Sequence, residues 1–389
     1  MSTRAQTPRT APRLDALPDD LLLRIFSFIA WRDYPSRRQT ALARLCRISK
    51  AVYRVASAAL WTDVVYPGDR KSEDALLVAT SRPDLAAHTR TVNLNGKPTE
   101  ALAATLTRYR NLEHVLIGND LGGYGQVVEG DFDQLGRLAK LESLNFSWIH
   151  ITSSPDHAAF SSLTTLVLNS VRSRICDVEI LLLPRFFPAL RYLSLNHITD
   201  PEFGYVFPDL EPALLSQLSV LQLRLDDLNS RIMDAHILPF LFASPAPLLI
   251  TICRFNLEAC EQLEDAAEAK LPIRHLCITG LDEGLPLDEG HIADRGSLAT
   301  TFAVLAELLD AHSAFPTLET LWLSPRCAEV STAQQDLAEL VRVCEGKKVA
   351  VKWLRPVLYR REDEPYGAVF DEGVRRYFDG LKAASTPAE

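Results

Sequence analysis

The sequence predicts an α/β protein in which three short N-terminal helices precede an irregular series of parallel strands backed by helices. Residues 17–61 carry apolar side chains at helical spacing. From residue 62 onward one short apolar phrase recurs, and helical patterns lie between its copies. Strands and helices that alternate at a nearly constant period stack into a parallel sheet, because each unit buries the apolar face of its neighbour.

The first predicted helix begins at Pro18, a residue that suits the first helical position because its missing N–H would have no partner there. Asp19 and Asp20 follow in the first turn, where the helix dipole favours negative charge. The apolar residues that come next recur at helical spacing and form one broad stripe: Leu21, Leu22, Ile25, Phe26 and Ile29.

Two further helices are predicted before the first strand. One covers about residues 36–47, with Leu42 and Leu45 on one side. The other begins near Ser49 and continues to Trp61. Domains of about 40 residues usually need a partner, a metal or a crosslink to be stable. We therefore expect these helices to leave apolar surface for another protein to cover.

The recurring phrase is an apolar residue, two residues, an apolar residue, one residue and a third apolar residue. Such alternation marks a short strand with one buried face. The clear copies lie at 112–117, 141–146, 163–168, 190–195, 218–223, 273–278 and 318–323. The first five begin 29, 22, 27 and 28 residues apart. Weaker copies lie at 89–94 and 248–253, and short strand-like runs at 62–66 and 348–354.

Helical patterns fall between these strands, and several prolines stand just before a strand, where a helix must end. The predicted helical segments are 100–110, 177–187, 209–217, 232–242, 257–269, 298–312 and 332–344. Between the copies at 273 and 318 the spacing widens, because an acidic, glycine-containing loop lies at 280–296. A doubly wound α/β domain is the alternative, but it does not account for the recurring phrase.

The N-terminal segment resembles a known family, the F-box. The matching residues are Leu17, Pro18, Leu21, Leu22, Ile25 and Phe26, then Leu42, Leu45, Cys46, Arg47, Ser49 and Lys50, then Ala59, Leu60 and Trp61. One departure is Tyr53, which stands where the family usually has tryptophan. The resemblance implies that the segment docks onto the Skp-type adaptor of a cullin–RING (SCF) ubiquitin ligase. An ordinary helical cap on the following domain is the alternative.

If the resemblance holds, the residues that match the motif contact the adaptor. They are Leu17, Pro18, Leu21, Leu22, Ile25, Phe26, Ile29, Leu42, Leu45, Leu60 and Trp61. The rest of the chain is similar to degenerate leucine-rich repeats, whose period is 20–29 residues. The order of the two segments is characteristic of F-box/leucine-rich-repeat proteins. It divides the chain into a disordered tail at 1–14, an F-box at 15–62, a repeat solenoid at 63–357 and a C-terminal cap and tail at 358–389.

The repeats depart from the regular pattern in one respect. Ile149, Val171, Ile198, Asp226 and Leu281 stand where regular repeats carry a buried asparagine, so we expect irregular curvature. Residues that alternate with the inward-facing apolar positions would line the opposite, concave face. The candidates for contact with a target protein on that face are Asn145, Tyr192, Asn196, Gln222, Arg224, His275 and Trp322.

Two of those candidates, Tyr192 and Trp322, stand out because aromatic residues often anchor interfaces. The alternative for both is that a loop or the C-terminal segment of the same chain covers the aromatic side chain. Arg224 offers the bidentate partner that a carboxylate or phosphate prefers. Most other residues of the face are small and uncharged, so no basic pocket for a phosphorylated target is expected.

Composition excludes several classes of protein. A net charge of −9 argues against a general nucleic-acid binder, which needs clustered Lys and Arg. No apolar stretch reaches the roughly 20 residues that cross a bilayer, and the polar first residues do not form a signal peptide. Seven cysteines without regular spacing fit reduced thiols. We expect a cytoplasmic or nuclear protein.

The motifs of common enzymes are missing. Residues 122–125 (Gly-Gly-Tyr-Gly) lack the Lys-Ser/Thr pair of a phosphate-binding loop, and the histidines and cysteines do not follow zinc spacing. A hydrolytic or metal-dependent enzyme would have to use the densest acidic cluster, whose members are Asp282, Glu283, Asp288, Glu289, His291 and Asp294. Their order does not fit a calcium-binding loop, so a solvated insert is predicted.

The sequence thus predicts a protein without catalysis, cofactor or metal. Its predicted function is that of the substrate-recognition subunit of an SCF-type ligase, with a Skp-type adaptor, a cullin and an unknown target protein as partners. A leucine-rich-repeat interaction scaffold that is not coupled to ubiquitin transfer is the alternative.

Overall fold

A computed structural model describes most of the regular elements of the chain. The described residues are 17–30, 35–66, 81–95, 106–118, 125–127, 129–152, 159–202, 204–205, 208, 210–225, 248–252, 273–278, 302–303, 305–310, 315–323 and 334–353. The acidic loop at 280–296, the predicted helices at 232–242 and 257–269, and both predicted tails lie outside them. All structural statements below concern the described residues.

The helices of the structure are α1 (Asp19–Ala30), α2 (Pro35–Leu45), α3 (Lys50–Thr62), α4 (Pro83–Ala86), α5 (Glu129–Gly136), α6 (Ile175–Leu181), α7 (Pro212–Gln217) and α8 (Gln334–Gly346). The strands are β1 (Asp63–Tyr66), β2 (Thr91–Asn95), β3 (His114–Gly118), β4 (Gly125–Val127), β5 (Ser143–Ile151), β6 (Thr165–Arg172), β7 (Tyr192–Asp200), β8 (Gly204–Tyr205), β9 (Val220–Leu225), β10 (Leu248–Ile252), β11 (Ile273–Ile278), β12 (Thr320–Leu323) and β13 (Ala350–Trp353). Residues 302–303 and 305–310 are also helical.

The first three helices lie at the three predicted positions and enclose a small core of their own. Ser49 begins α3 as an N-cap, since its side-chain oxygen accepts a hydrogen bond from the backbone N–H of Val52 at 3.2 Å. The buried members of this core are Leu22, Phe26, Leu42, Val52, Val55 and Ala56. Six side chains form a core too small to account for a stable independent domain, so α1 to α3 depend on further contacts.

The strands form one mostly parallel sheet, which confirms the predicted α/β class. Its order is β1-β2-β3-β5-β6-β7-β9-β10-β11-β12-β13, with β4 added parallel to β5 and β8 added antiparallel to β7. Every copy of the phrase, weak or clear, corresponds to one of these strands. The strand order follows the sequence without the reversal of a doubly wound sheet, so that alternative is wrong for the described residues.

The backbone register aligns the same apolar position of each phrase. Leu144 pairs with Leu166, Leu166 with Leu193 and Leu193 with Leu221, and all four side chains are fully buried. The next apolar position forms a second buried row alongside. Burial of one leucine contributes about 1.5–3 kcal/mol relative to exposure. The rows run through the sheet core from β1 to the contact with α8, so one continuous core stabilises the sheet.

Strands β5, β6 and β7 extend beyond the predicted phrase. Ile149 pairs with Val171 and Val171 with Ile198, and all three are buried. An apolar row therefore stands where regular repeats carry asparagine. The residues that precede the first two, Trp148 and Ser170, have φ values of 56° and 51°. This left-handed backbone is rare for residues other than glycine, and it breaks the alternation of side chains in both strands.

Most predicted helices that fall on described residues are present with shifted ends. Helix α6 covers the start of the segment predicted at 177–187, α7 the end of that at 209–217, and α8 nearly all of that at 332–344. The segment predicted at 100–110 is described only from residue 106, and it forms turns after that residue. The sequence reasoning missed α4, α5, β4 and β8.

Asp200, at the end of β7, connects this strand to α6. Its Oδ2 accepts a hydrogen bond from the backbone N–H of Ile175, and its Oδ1 accepts one from Glu202, both at 2.7 Å. The residue is buried. Because Arg174, the residue before the helix, provides no side-chain cap, a carboxylate 25 residues away in the sequence satisfies the first N–H of α6.

We expect Asp200→Ala to lower the free energy of unfolding by about 1–2 kcal/mol, because two backbone N–H groups lose their acceptor. Urea unfolding followed by circular dichroism measures the change. Glu211→Ala is the matched control: Glu211 precedes α7 but its side chain makes no capping bond, so a change within about 0.5 kcal/mol is expected. Equal losses for the two variants would contradict the capping role of Asp200.

Candidate functional site

The apolar stripe predicted on α1 is divided in the structure. Leu22 and Phe26 are buried in the small helical core, whereas Leu21 is 44% exposed and Ile25 is 36% exposed. Leu21 and Ile25 stand one turn apart and share one flank of the helix. The exposure of Leu21 and Ile25 agrees with the prediction that these helices leave apolar surface uncovered. The uncovered surface is narrower than the predicted stripe, because Leu22 and Phe26 are buried.

The other residues predicted to contact an adaptor lie at different depths. Leu42 is buried, and Leu17, Leu45 and Leu60 pack in part against the small core. Pro18 is exposed, and the side chain of Ile29 lies outside the described part of the structure. Trp61 packs against the core of the sheet. The full set of eleven is thus too broad, because Leu22, Phe26 and Leu42 are enclosed by their own helices and Trp61 joins α3 to the sheet.

An ion pair holds α1 against α3 beside the exposed flank. Nη2 of Arg54 lies 2.7 Å from Oδ1 and 2.6 Å from Oδ2 of Asp19. Both side chains are largely exposed, so the pair contributes at most about 1 kcal/mol. Three further large apolar residues in this unit are exposed: Leu23, Ile48 and Tyr53. The helical unit therefore carries more uncovered apolar surface than any other part of the described chain.

The sheet face opposite the core is closed rather than open. In its middle row Asn145 pairs with Val167, Val167 with Ser194 and Ser194 with Gln222, and all four are buried. The Tyr192 hydroxyl donates a hydrogen bond to Oε1 of Gln222. The expectation that Asn145, Tyr192, Gln222 and His275 line an accessible surface is therefore wrong.

A hydrogen bond between buried side chains joins neighbouring strands on this face. Nδ2 of Asn169 donates to Oγ of Ser147 at 3.0 Å. Oδ1 of Asn145 is buried without a protein partner, which weakens the face locally. The backbone of Asn196 and Arg224 lies in register with Asn169, but their side chains lie outside the described residues.

The remaining predicted contact residues lie near the C-terminal edge of the sheet. Trp322 is half-buried, and Nζ of Lys352 lies 5.3 Å from the centre of its ring, a distance at which the ring attracts the ammonium group. Arg274 forms an ion pair with Glu319. Between them His275 is buried, and burial lowers the pKa of its imidazole to about 4.

The extended ends of β5 and β6 carry an exposed group that the sequence reasoning missed. Trp148 is 44% exposed, and His150 pairs in register with the exposed Arg172. Burial, and then the charge of Arg172, lower the pKa of His150 below its usual value. The available signal was the apolar pattern that continues beyond the phrase, where His150 stands between Ile149 and Ile151 and Arg172 follows Val171.

The described residues meet neither the requirements of a metal site nor those of a membrane-spanning helix. They contain no group of three or more His, Cys, Asp or Glu that could hold a metal ion, and the acidic cluster at 282–294 lies outside them. None of the described helices is long and apolar enough to cross a bilayer. Burial raises the pKa of the Cys344 thiol to about 11, which makes this residue a poor nucleophile at neutral pH.

No protein-family model and no curated protein matches the chain. A functional proposal therefore has two supports. One is the motif resemblance of the N-terminal segment, and the other is the set of surfaces that the structure leaves exposed.

We expect acidification from pH 7 to pH 5 to destabilise the protein partly through His275. Because the folded-state pKa lies below the unfolded-state value, the unfolded chain binds a proton first, and stability is lost as the pH falls. The loss attributable to His275 is about 2 kcal/mol over this range, and urea unfolding at several pH values measures it.

The control for that experiment is a pair of glutamine variants. His275→Gln should flatten the dependence of stability on pH between 7 and 5, whereas His88→Gln replaces an exposed histidine and should leave it in place. If the unfolding free energy of the His275→Gln variant still falls between pH 7 and pH 5 as it does in the unmodified protein, other groups cause the acid destabilisation.

Proposed function

We propose that this protein is the substrate-recognition subunit of an SCF-type cullin–RING ubiquitin ligase. Residues 15–62 would act as an F-box that binds a Skp-type adaptor, and residues 63–357 would act as a leucine-rich-repeat solenoid that binds the target. The observation that carries the proposal is the pair Leu21 and Ile25. They are exposed on a helix whose small core is already filled, in a segment with the spacing of an F-box.

The placement of the helical unit supports an external partner. If the unit served only to cap the sheet, its apolar flank would be expected to face the sheet. Instead Trp61 provides the apolar contact with the sheet core, while Leu21 and Ile25 remain exposed. Full burial of an exposed leucine or isoleucine is worth about 1.5–3 kcal/mol, and a docked subunit would gain the part of this free energy that corresponds to the surface the monomer leaves open.

The mechanism requires no catalytic group on this chain. A recognition subunit raises the rate of ubiquitin transfer by holding the target beside a charged enzyme, because proximity replaces a bimolecular encounter. A continuous, in-register sheet suits that role, since it forms a fixed arm between the adaptor site and the bound target.

An interaction scaffold without ubiquitin transfer is the alternative, and the burial of Asn145, Tyr192, Gln222 and His275 is compatible with it. The two proposals differ in what they require of the helical flank. A ligase subunit needs Leu21 and Ile25 for its adaptor, whereas a scaffold of this kind has no use for them.

The test is the double variant Leu21→Asp plus Ile25→Asp, assayed by co-purification with a Skp-type adaptor. We expect affinity for the adaptor to fall at least a hundredfold, since two apolar contacts are replaced by two desolvated charges. Thermal unfolding should change little, because both positions are exposed. Ile180→Asp is the matched control, as Ile180 is an equally exposed apolar residue on α6.

Unchanged adaptor binding by the double variant would overturn the proposal. Loss of binding by Ile180→Asp as well would indicate a general defect rather than a docking surface. Leu22→Asp is not a suitable test, because a charge in the core of six residues would unfold the helices themselves.

A further inference from the structure

The exposed group at the ends of β5 and β6 has no role in the proposed docking of the adaptor. It consists of Trp148 and Arg172, which are exposed, and His150, which is half-buried, with the exposed Arg174 two residues further along. We call these four residues the strand-end patch. It lies at the carboxyl ends of the strands, beyond the closed polar face, where the apolar row of Ile149 and Val171 keeps the two strands in register.

The parallel pairing fixes the relative position of the patch residues. His150 and Arg172 are register partners, so their Cα atoms are about 4.8 Å apart. Partial burial, and then the positive charge of Arg172, lower the pKa of His150 below its usual value, as expected for side chains on paired positions. Trp148 stands two residues before His150, on the same strand.

The electrostatic character of the patch differs from that of the chain. The whole protein carries a net charge of −9, yet Arg172 and Arg174 are both exposed. Neither of them forms an ion pair within the described part of the chain. The nearby carboxylate of Asp200 already accepts hydrogen bonds from two backbone N–H groups. The guanidinium groups are thus accessible to an external anion, and Arg binds carboxylates bidentately.

Trp148 adds an apolar anchor with an unusual backbone. Its φ of 56° is costly for a bulky residue, and 44% of its surface is exposed. Strained positions persist when the surrounding structure fixes them, and they cluster at ligand sites. Tryptophan and arginine are among the residues enriched at the hot spots of protein interfaces, and the ends of β5 and β6 expose both.

We infer that the strand-end patch binds an acidic peptide segment of the target protein, with Arg172 and Arg174 pairing with its Asp or Glu side chains and Trp148 contacting an apolar residue between them. This inference rests on the proposed function, because it names the class of target segment that the repeats hold. It also replaces the closed face as the place of recognition, since the patch is exposed and that face is buried.

Fluorescence anisotropy on the full-length protein tests the inference. The probe is a fluorescein-labelled peptide of alternating Asp and Glu around a central leucine, compared with the same peptide made of Asn and Gln. We expect the acidic peptide to bind more tightly and its affinity to fall as salt is raised, because ions screen exposed charges. Arg172→Glu and Trp148→Ala should each weaken binding about tenfold or more.

Each variant has a matched control elsewhere on the chain. Arg110→Glu makes the same charge change at an exposed arginine at the other end of the strands. Trp353→Ala removes a tryptophan that is also 44% exposed, on the last described strand. Neither control should change the affinity for the acidic peptide. Circular dichroism and thermal unfolding establish that all four variants fold.

Three results would overturn the inference. One is equal affinity for the acidic and the amide peptides, and another is equal weakening by Arg172→Glu and Arg110→Glu. The third is binding of a phosphoserine version of the peptide without binding of the carboxylate version, which would assign the patch to a phosphorylated ligand. If the proposed function is correct, the Arg172→Glu variant still co-purifies with the adaptor in each of these three cases. Failure of the peptide inference can therefore be distinguished from failure of the proposed ligase function.

Discussion

The stacking of one leucine from each of four neighbouring strands, in register with the next, is the constraint on which the structure depends. Leu144, Leu166, Leu193 and Leu221 form this row, and every one of them is fully buried. A parallel sheet with one apolar face has no stability without cover, and the helices between the strands provide it. The row therefore fixes the register of these four strands and the face that they turn to the core.

The N-terminal helices, unlike the sheet, do not bury all of their apolar residues. Their own core is small, and Trp61 packs against the core of the sheet, while α2 and α3 also contact β1. The unit is consequently supported from one side and uncovered on the other, where Leu21 and Ile25 are found. A site made in this way is exposed because the helix has more apolar residues than its neighbours can enclose. The chemistry of the exposed flank, rather than a pocket, determines what can bind there.

The strands could be predicted because alternation at period two is a local property of the chain, and each phrase of the sequence contains it. Three features could not be predicted in that way. The division of the α1 stripe into buried Leu22 and exposed Leu21 depends on the angle at which α3 packs, which periodicity does not contain. The burial of Asn145 and Gln222 depends on the close approach of neighbouring strands, and their polar side chains suggested exposure. At Trp148 and Ser170 the left-handed backbone shifts the alternation, which concealed the strand-end patch.

The order of the strands in the sheet is the order in which they occur along the chain. Among the described strands after β1, each except β4, which pairs with the later β5, thus meets during translation a partner that has already left the ribosome. Proteins rich in contacts between neighbouring segments generally fold rapidly, and their domains can fold as they are synthesised. The arrangement limits the time for which an unpaired strand edge is exposed to other nascent chains.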